Sequence, residues 1–206
     1  KKIVKKNNIG TIKMEVCRNT KPDINFLKKI RNFSDHNNIV LIFDECTTGF
    51  RESLGGLHKN IGIKPDLAIL GKALGNGYAI TSIIGKENVM ESLNKTFVSS
   101  TFWTERLGFT AAIKTLEVMS NIKSWYKITK TGEKIQRSWS QMLKHYNIDA
   151  KVNGIPALSS FIFNHRDNIK FKTFITQEML KHNILASNTI YPCIYHNEKN
   201  LSLYFR

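Results

Sequence analysis

The sequence reads Ile39-Val40-Leu41-Ile42-Phe43-Asp44-Glu45 at positions 39–45, a run of five apolar residues followed by two carboxylates. A continuous apolar run of this length is typical of a parallel strand that is buried on both faces. Open α/β sheets place their ligand sites at the carboxyl ends of such strands. We therefore predict a strand over Ile39–Phe43, with Asp44 and Glu45 at a ligand-binding edge.

The segments on either side of this run extend the same pattern. Before it, the sequence indicates a strand and then a helix that begins at Pro22-Asp23 and carries apolar residues at helical spacing. After it, Leu67–Leu70 is a second short apolar strand that ends at Gly71-Lys72, and a third strand is predicted within 78–84. The order strand, helix, strand, connector, strand predicts an α/β layer.

The second half of the sequence has a different pattern. Two helices are predicted first, and then short strands and one more helix indicate a small α+β domain. We place the domain boundary near Ser120–Trp125, which divides the chain into residues 1–122 and 123–206. The predicted elements are helices at Gly108–Met119, Trp125–His145 and Thr173–His182, and strands at Gly154–Leu158, Ser159–Phe163, Ile184–Ala186 and Leu201–Phe205.

The chain is strongly basic, because it contains 31 Lys and Arg residues but only 16 Asp and Glu residues, which gives a net charge of +15. A charge of this size can indicate a nucleic-acid partner. However, the basic residues are scattered and form no stripe interleaved with aromatic residues. A lysine-rich composition is also what an AT-rich coding sequence produces. We favour the absence of a nucleic-acid partner and keep a basic nucleic-acid-binding protein as the alternative.

The remaining bulk features favour a cytoplasmic protein. No apolar run approaches the roughly 18 residues of a membrane-spanning helix, so we expect no membrane partner. The basic N-terminus lacks the apolar segment of a signal peptide. Cys17, Cys46 and Cys193 are widely spaced and show neither a CxxC pair nor a Cys/His metal spacing. We therefore expect no disulfide framework and no metal site.

Lys72 and Asp44 are the residues whose positions suggest chemistry. Low-dielectric surroundings at a strand end favour the neutral, nucleophilic amine of a lysine over its ammonium, which suits Schiff-base formation with a carbonyl. A carboxylate at the mouth of a neighbouring strand can keep a pyridinium nitrogen protonated. Alternatively, Lys72 is a strand-end lysine whose ammonium reaches water, and Asp44 caps a turn.

Two common phosphate-binding motifs do not fit this region. A Walker A motif ending at Gly71-Lys72 requires glycine at position 66 and Ser or Thr at position 73, where the chain has Asp66 and Ala73. A GxGxxG motif that begins at Gly75 requires glycine at position 80, which is Ile80.

Three segments in this order resemble class III pyridoxal-phosphate aminotransferases, in the branch similar to glutamate-1-semialdehyde aminomutase. They are Leu41-Ile42-Phe43-Asp44-Glu45-Cys46-Thr47-Thr48-Gly49-Phe50-Arg51, Lys64-Pro65-Asp66-Leu67-Ala68-Ile69-Leu70-Gly71-Lys72-Ala73-Leu74-Gly75-Asn76-Gly77 and Ser100-Thr101-Phe102-Trp103-Thr104. The resemblance covers most of the chain. It implies an α/β pyridoxal-phosphate-dependent transferase of fold type I, with 1–122 as the C-terminal half of the large cofactor domain and 123–206 as the small α+β domain.

The resemblance also implies a cofactor and a role for each site residue. Lys72 would form the Schiff base with pyridoxal 5′-phosphate and move the proton of the substrate, and Asp44 would pair with the ring nitrogen. Cys46 takes the place of the valine or isoleucine that packs on the ring, and Thr101 would donate to the phosphate across a homodimer interface. The expected reaction is amino transfer between a small-molecule amino donor and a carbonyl acceptor, with an intramolecular aminomutase reaction as a less favoured alternative.

The chain departs from this family at its front. Family members carry a long segment before the strand that begins near Ile9, and this segment supplies a phosphate-binding loop and a ring-stacking aromatic residue. We expect the chain to be a fragment of a full enzyme, one product of a split gene or a decayed, non-catalytic remnant. A sheet without the strands of that segment is expected to expose apolar edges.

Overall fold

The chain forms two compact units in the computed structural model, which describes residues 2–206. The first unit contains the residues up to Val16 together with Pro22–Ile122, and the second contains Cys17–Lys21 together with Lys123–Arg206. The assignment of 1–122 and 123–206 as separate domains stays a prediction.

The first unit is built around one mixed sheet of four strands in the order β1-β2-β3-β4. The first three strands run parallel, and β4 is antiparallel to β3. Two short 3-10 helices follow β3 and α4. The elements are α1 (Lys2–Lys6), β1 (Thr11–Glu15), α2 (Ile24–His36), β2 (Val40–Asp44), α3 (His58–Ile61), β3 (Leu67–Leu70), β4 (Ser82–Gly85), α4 (Glu87–Met90) and α5 (Arg106–Ile122).

The centre of this unit is β2, as its apolar run predicts. Leu41 and Phe43 are fully buried, because β2 lies between β1 and β3 and contacts α2. Helix α2 begins where Asp23 accepts a hydrogen bond from the backbone N–H of Phe26 at 3.0 Å. Leu27 of the same helix is 1 % exposed and completes this part of the core.

Asp66, the residue before β3, joins β2, α2 and the start of α4. Its carboxylate accepts hydrogen bonds from the backbone N–H of Leu41 at 2.7 Å and from Arg31 of α2 at 2.9 Å. Lys86 forms an ion pair with its other oxygen at 2.7 Å. Burial raises the pKa of Asp66, but these hydrogen bonds outweigh burial and hold the pKa below its usual value.

Strand β4 ends the sheet on one side and exposes apolar side chains. Ile83 is 43 % exposed and Ile84 is 49 % exposed. The exposed apolar edge expected from the sequence is therefore confirmed at this strand. The predicted strand within 78–84 is shorter in the structure and begins only at Ser82.

The second unit pairs a three-stranded antiparallel sheet with helices. Trp139 of the long helix α6 packs edge-on against Phe161 at 4.9 Å between ring centres, and its indole N–H donates to the hydroxyl of Tyr204 at 3.0 Å. Ile135 and Leu201 complete this buried cluster. The elements are α6 (Ser124–His145), β5 (Ala150–Asn153), β6 (Ser159–Phe163), α7 (Asn168–Lys181), β7 (Thr189–Ile190) and α8 (Glu198–Tyr204), with a 3-10 helix at Pro156–Leu158.

Three strand predictions for this unit are wrong. Gly154–Leu158 is no strand, because Pro156 begins a 3-10 turn and the strand lies before it, in β5. The edge strand expected at Leu201–Phe205 is helix α8, which begins where the Asn197 side chain accepts from the N–H of Asn200 at 3.0 Å. The strand expected at Ile184–Ala186 lies later in the chain, in β7.

Candidate active site

The carboxyl ends of β1, β2 and β3 meet at one edge of the first sheet. Glu15 at the end of β1 pairs in register with Asp44 at the end of β2, and Asp44 pairs with Ile69 of β3. Lys72 follows three residues beyond Ile69, so Lys72 and Asp44 leave the ends of neighbouring parallel strands. The sequence analysis predicted this shared edge.

Asp44 lies in a hydrogen-bonded position at this edge. One carboxylate oxygen pairs with the ammonium of Lys13 at 2.9 Å, and the other accepts from the backbone N–H of Cys46 at 3.2 Å. The hydrogen bond from Lys13 lowers the pKa of Asp44 and outweighs burial, which raises it. Asp44 is therefore an anionic carboxylate at neutral pH.

Lys72 has an unusual backbone conformation. Its φ of 45° lies in the left-handed region, which non-glycine residues seldom adopt and which is enriched at functional sites. Its ammonium donates to the hydroxyl of Thr47 at 3.0 Å. The low-dielectric surroundings expected from the sequence are absent for this side chain, which is exposed because the residue turns outward between the buried Leu70 and Leu74.

Cys46 lies close to both of these groups. Burial raises the pKa of its thiol, and the negative charge of Asp44 raises it further. The positive charges of Lys72 and Lys13 lower this pKa, but the net shift is upward. A Cβ at Gly71 would lie 3.3 Å from the sulfur, which is closer than an ordinary contact. Gly71 therefore lets the end of β3 approach the thiol, and the thiol stays protonated and neutral at pH 7.

Thr101 does not join this group in the structure. It lies in an exposed turn at 101–104, and its side chain forms no hydrogen bond with another residue in 2–206. The structure thus brings Lys72, Asp44 and Cys46 together and leaves the fourth predicted site residue apart from them.

The loop after β2 begins with a buried carboxylate, Glu45, which the sequence analysis placed beside Asp44 at a ligand-binding edge. Glu45 is fully buried and accepts hydrogen bonds from the Thr48 hydroxyl at 2.8 Å and from the N–H of Leu57. It also accepts from the N–H of His58 at 3.0 Å and contacts the His58 ring nitrogen Nδ1 at 2.6 Å. Burial raises the pKa of Glu45, but these hydrogen bonds hold it below the usual value. Glu45 thereby fixes both ends of the loop that carries Thr47.

Sequence reasoning missed Lys13 and Thr47, which contact the two central residues directly. The signal for Lys13 was a lysine between Ile12 and Met14, in a strand whose polar residues alternate with apolar ones and end at Glu15. Thr47 gave no such signal, because its role depends on the side-chain geometry of Lys72.

No helix within residues 2–206 is long and apolar enough to cross a membrane. Among the same residues, no group of three or more His, Cys, Asp or Glu side chains could hold a metal ion.

Comparison with known proteins identifies relatives of this chain. The family model for class-III aminotransferases matches residues 18–191. A 3-aminobutyryl-CoA aminotransferase of Cloacimonas acidaminovorans is 32 % identical over 187 residues, which cover 88 % of this chain and 45 % of that protein. A glutamate-1-semialdehyde 2,1-aminomutase of Methanococcus vannielii is 34 % identical over 168 residues, which cover 78 % of this chain and 39 % of that protein.

The fold has known counterparts as well. The structure of the FumI protein of Sphingopyxis sp. MTA144, solved with PLP, superposes on this chain with a TM-score of 0.89 at 18 % sequence identity. The superposition covers 96 % of this chain and 50 % of the FumI chain. This likeness confirms the predicted fold. The chain spans half or less of the length of each of these three proteins. Since the family model covers most of its residues and both sequence relatives exceed 30 % identity, the chain belongs to the class-III aminotransferase family.

Proposed function

We propose that the chain is the Lys72-bearing half of a pyridoxal-phosphate-dependent aminotransferase, which moves an amino group from a small-molecule donor to a carbonyl or semialdehyde acceptor. The observation that carries this proposal is the position of Lys72 and Asp44 at the ends of the neighbouring parallel strands β3 and β2. An amine nucleophile and an anionic carboxylate at one edge are the groups that this chemistry requires from a protein. Membership in the class-III family supports the same conclusion.

The residues at this edge fit pyridoxal phosphate. When bound, the cofactor supplies an aldehyde that an amine can attack and a protonated ring that accepts an electron pair. Asp44 is anionic, and each of its oxygens has a second lone pair for a ring N–H besides the contacts with Lys13 and Cys46. The neutral thiol of Cys46 lies beside this carboxylate, and Gly71 lets the end of β3 approach that thiol closely.

Each site residue then has a defined task. Lys72 would hold pyridoxal phosphate by condensing its amine with the cofactor aldehyde, with loss of water. Once a substrate amine had displaced it, the Lys72 amine would take the proton from the substrate Cα and return it. Asp44 holds a proton on the ring nitrogen by its negative charge, which its hydrogen bond from Lys13 stabilises. The Cys46 thiol packs against the ring as a neutral group, since its pKa is raised by burial.

Thr101 and a second copy of the chain complete the proposal. The Thr101 hydroxyl donates to the cofactor phosphate across a homodimer interface. The exposure of Thr101 supports this role, as do the apolar residues of α5 that follow it. Leu107, Phe109 and Ile113 are 59 %, 58 % and 68 % exposed, and exposed apolar patches commonly mark protein contacts.

The domain assignment and the cellular location belong to the same proposal. Residues 1–122 are the C-terminal half of the large cofactor domain, and 123–206 are the small domain; the division into units between Ile122 and Lys123 supports this boundary. The protein acts in the cytoplasm, without a nucleic-acid or membrane partner. Within residues 2–206, Cys17, Cys46 and Cys193 form no disulfide bond, and this supports a reducing compartment.

An intramolecular aminomutase is the second candidate, because the Methanococcus vannielii relative is named as one. The two reactions differ in the fate of the amino nitrogen. A ¹⁵N-labelled amino substrate would pass its label to an added keto acid in the aminotransferase, and would retain it within the same carbon skeleton in the aminomutase.

The test is a titration of the purified chain with pyridoxal phosphate, followed by the absorbance of the cofactor. We expect a saturable change that Lys72→Ala abolishes and Asp44→Asn weakens. Lys95→Ala is the matched control, since Lys95 is an exposed lysine of the same unit and its side chain forms no hydrogen bond or ion pair with a residue in 2–206. An equal change in the wild type and in Lys72→Ala would exclude Lys72 as the cofactor lysine.

A further inference from the structure

The sequence contains two Asn-Gly pairs, Asn76-Gly77 in the first unit and Asn153-Gly154 in the second. An asparagine before a glycine is open to an intramolecular reaction, in which the backbone nitrogen of the glycine attacks the side-chain amide carbon. The glycine has no Cβ that would block this approach. The two pairs are equivalent in sequence, but the structure places them in opposite surroundings.

Asn76 and Gly77 form the middle of an exposed tight turn. The backbone N–H of Tyr78 donates to the backbone oxygen of Gly75 at 3.1 Å, and the φ values of Asn76 and Gly77 are 47° and 110°. Positive φ at both central residues is typical of the turns that favour Asn-Gly. Both residues are exposed, and a Cβ at Gly77 would meet nothing within 4 Å. The space around the reacting atoms is therefore open.

The reacting groups of this pair are also unrestrained. Neither the side-chain amide of Asn76 nor the backbone N–H of Gly77 forms a hydrogen bond with another residue in 2–206. The Asn76 side chain can therefore rotate towards the Gly77 nitrogen without losing a hydrogen bond of its own. Because both groups belong to neighbouring residues, the attack is unimolecular and needs no partner.

Asn153 and Gly154 are held by the second unit. Asn153 is the last residue of β5 and pairs in register with Ser160 of β6, and its side-chain amide donates to the backbone oxygen of Lys151 at 3.3 Å. Gly154 is buried, and a Cβ there would lie 2.2 Å from the backbone oxygen of Leu158. Ring closure at this pair therefore requires local opening of the sheet.

We propose that Asn76 is a site of spontaneous deamidation, which adds a negative charge beside Lys72, and that Asn153 is protected from the same reaction. The Gly77 nitrogen forms a bond with the Asn76 amide carbon, and the amide nitrogen leaves as ammonia with the proton of the Gly77 N–H. Water then opens the resulting five-membered imide at either carbonyl. The products are aspartate, or isoaspartate, in which the main chain runs through the side-chain carbon.

The new carboxylate would lie in a functional part of the first unit. Lys72, Asn76 and Gly77 belong to the lining of a cavity of about 480 Å³, and no carboxylate is among its described lining residues. Isoaspartate would also lengthen the main chain in the turn that follows Lys72. Pyridoxal phosphate is an anion, so a carboxylate at this position should weaken its binding. This effect on the cofactor rests on the proposed function, whereas the deamidation does not.

Peptide mapping by mass spectrometry tests the deamidation, after incubation of the purified chain in mildly alkaline buffer at physiological temperature. The same chain unfolded in guanidinium chloride is the control, in which both Asn-Gly pairs should react at similar rates. In the folded chain we expect Asn76 to react about tenfold faster than Asn153, because reaction at Asn153 waits for opening of β5. Equal rates in the folded chain, or no reaction at Asn76, would overturn the proposal.

A variant tests whether the Gly77 nitrogen is the attacking group. Gly77→Ala places a methyl group beside this nitrogen, so it should slow the reaction at Asn76 severalfold and leave the rate at Asn153 unchanged. An unchanged rate at Asn76 would mean that water attacks the amide directly, against the proposal. Circular dichroism shows whether the variant retains the fold, since alanine is strained at a φ of 110°.

A second variant tests the effect on the cofactor. Asn76→Asp reproduces the aspartate product, and we expect it to bind pyridoxal phosphate about threefold more weakly than the wild type, the effect of one like charge in an open site. Asn94→Asp is the matched control, because it adds the same charge at an exposed residue outside the cavity lining. Equal affinities of the two variants would show that the charge at position 76 has no specific effect. If the wild type binds no pyridoxal phosphate, the proposed function fails, and peptide mapping still decides the deamidation.

Discussion

Replacing Glu45 by glutamine changes one oxygen of a buried carboxylate into an amide NH₂ group. The carboxylate accepts from the Thr48 hydroxyl and the Leu57 N–H on one oxygen, and contacts the N–H and ring of His58 with the other. A glutamine can keep only one of these oxygens as an acceptor. At least one buried N–H therefore faces an NH₂ donor after the substitution.

The expected cost follows from these contacts. A hydrogen bond to a charged group contributes about 1.5–3 kcal/mol, and a buried donor without an acceptor costs a similar amount, so we expect Glu45→Gln to lower the free energy of unfolding by about 3 kcal/mol at pH 7. The folded-state pKa of Glu45 lies below its unfolded value of 4.5. The stabilisation is therefore present above that unfolded value and is lost as the pH falls through the folded one. The difference between wild type and variant should shrink in acid.

Urea unfolding followed by circular dichroism measures the change in stability, and hydrogen exchange locates it. The amides of Leu57 and His58 should exchange faster in the variant, because their acceptor is Glu45. Glu91→Gln, in an exposed 3-10 helix, is the control and should change stability by less than about 0.5 kcal/mol. Unchanged protection of both amides in Glu45→Gln, with an unchanged midpoint, would refute this account of the loop.

Three further substitutions test other parts of the structure. Gly132→Ala would place a Cβ 1.9 Å from the backbone oxygen of Pro156, so we expect the free energy of unfolding, measured by thermal unfolding, to fall by about 3 kcal/mol. In the control Gly10→Ala the new Cβ meets nothing within 4 Å, and the substitution should cost far less. Asp66→Asn should destabilise the first unit at pH 7, and this effect should shrink only as the pH falls below the unfolded value of 3.8 and through the lowered folded-state pKa of Asp66; a destabilisation in urea titrations that stays the same through this acid range would contradict this. Lys13→Met should raise the pKa of Asp44 in a carbon-13 NMR titration while Lys13→Arg leaves it low, and an unchanged pKa in the methionine variant would show that the ion pair has no such role.

The edge that carries the candidate site was predictable because it depends on local sequence signals. An apolar run followed by Asp44, and another followed by Gly71-Lys72, place both side chains at strand ends once the strands are parallel. The ion pair with Lys13 and the hydrogen bond to Thr47 depend on side-chain geometry across the register, which periodicity does not report. The sequence left the exposure of Lys72 open as an alternative, because the left-handed turn at that residue has no signature in its residue type.

The wrong strand prediction at Leu201–Phe205 has a physical origin. Leu201, Leu203 and Phe205 alternate with polar or less apolar residues and mimic a strand of period two. The Asn197 side chain instead caps a helix, in which Leu201 is buried in the cluster around Trp139. Tertiary packing therefore overrode a short periodic pattern, as it does when only one turn or two of helix are involved.

The central claim is that Lys72 is the lysine that binds pyridoxal phosphate. Its most direct test is to incubate the purified chain with the cofactor, reduce with borohydride and map the labelled peptide by mass spectrometry. The account predicts a single pyridoxyl group on Lys72, which is lost in Lys72→Ala and retained in Lys95→Ala. Label spread evenly over the surface lysines, with no preference for Lys72, would contradict it.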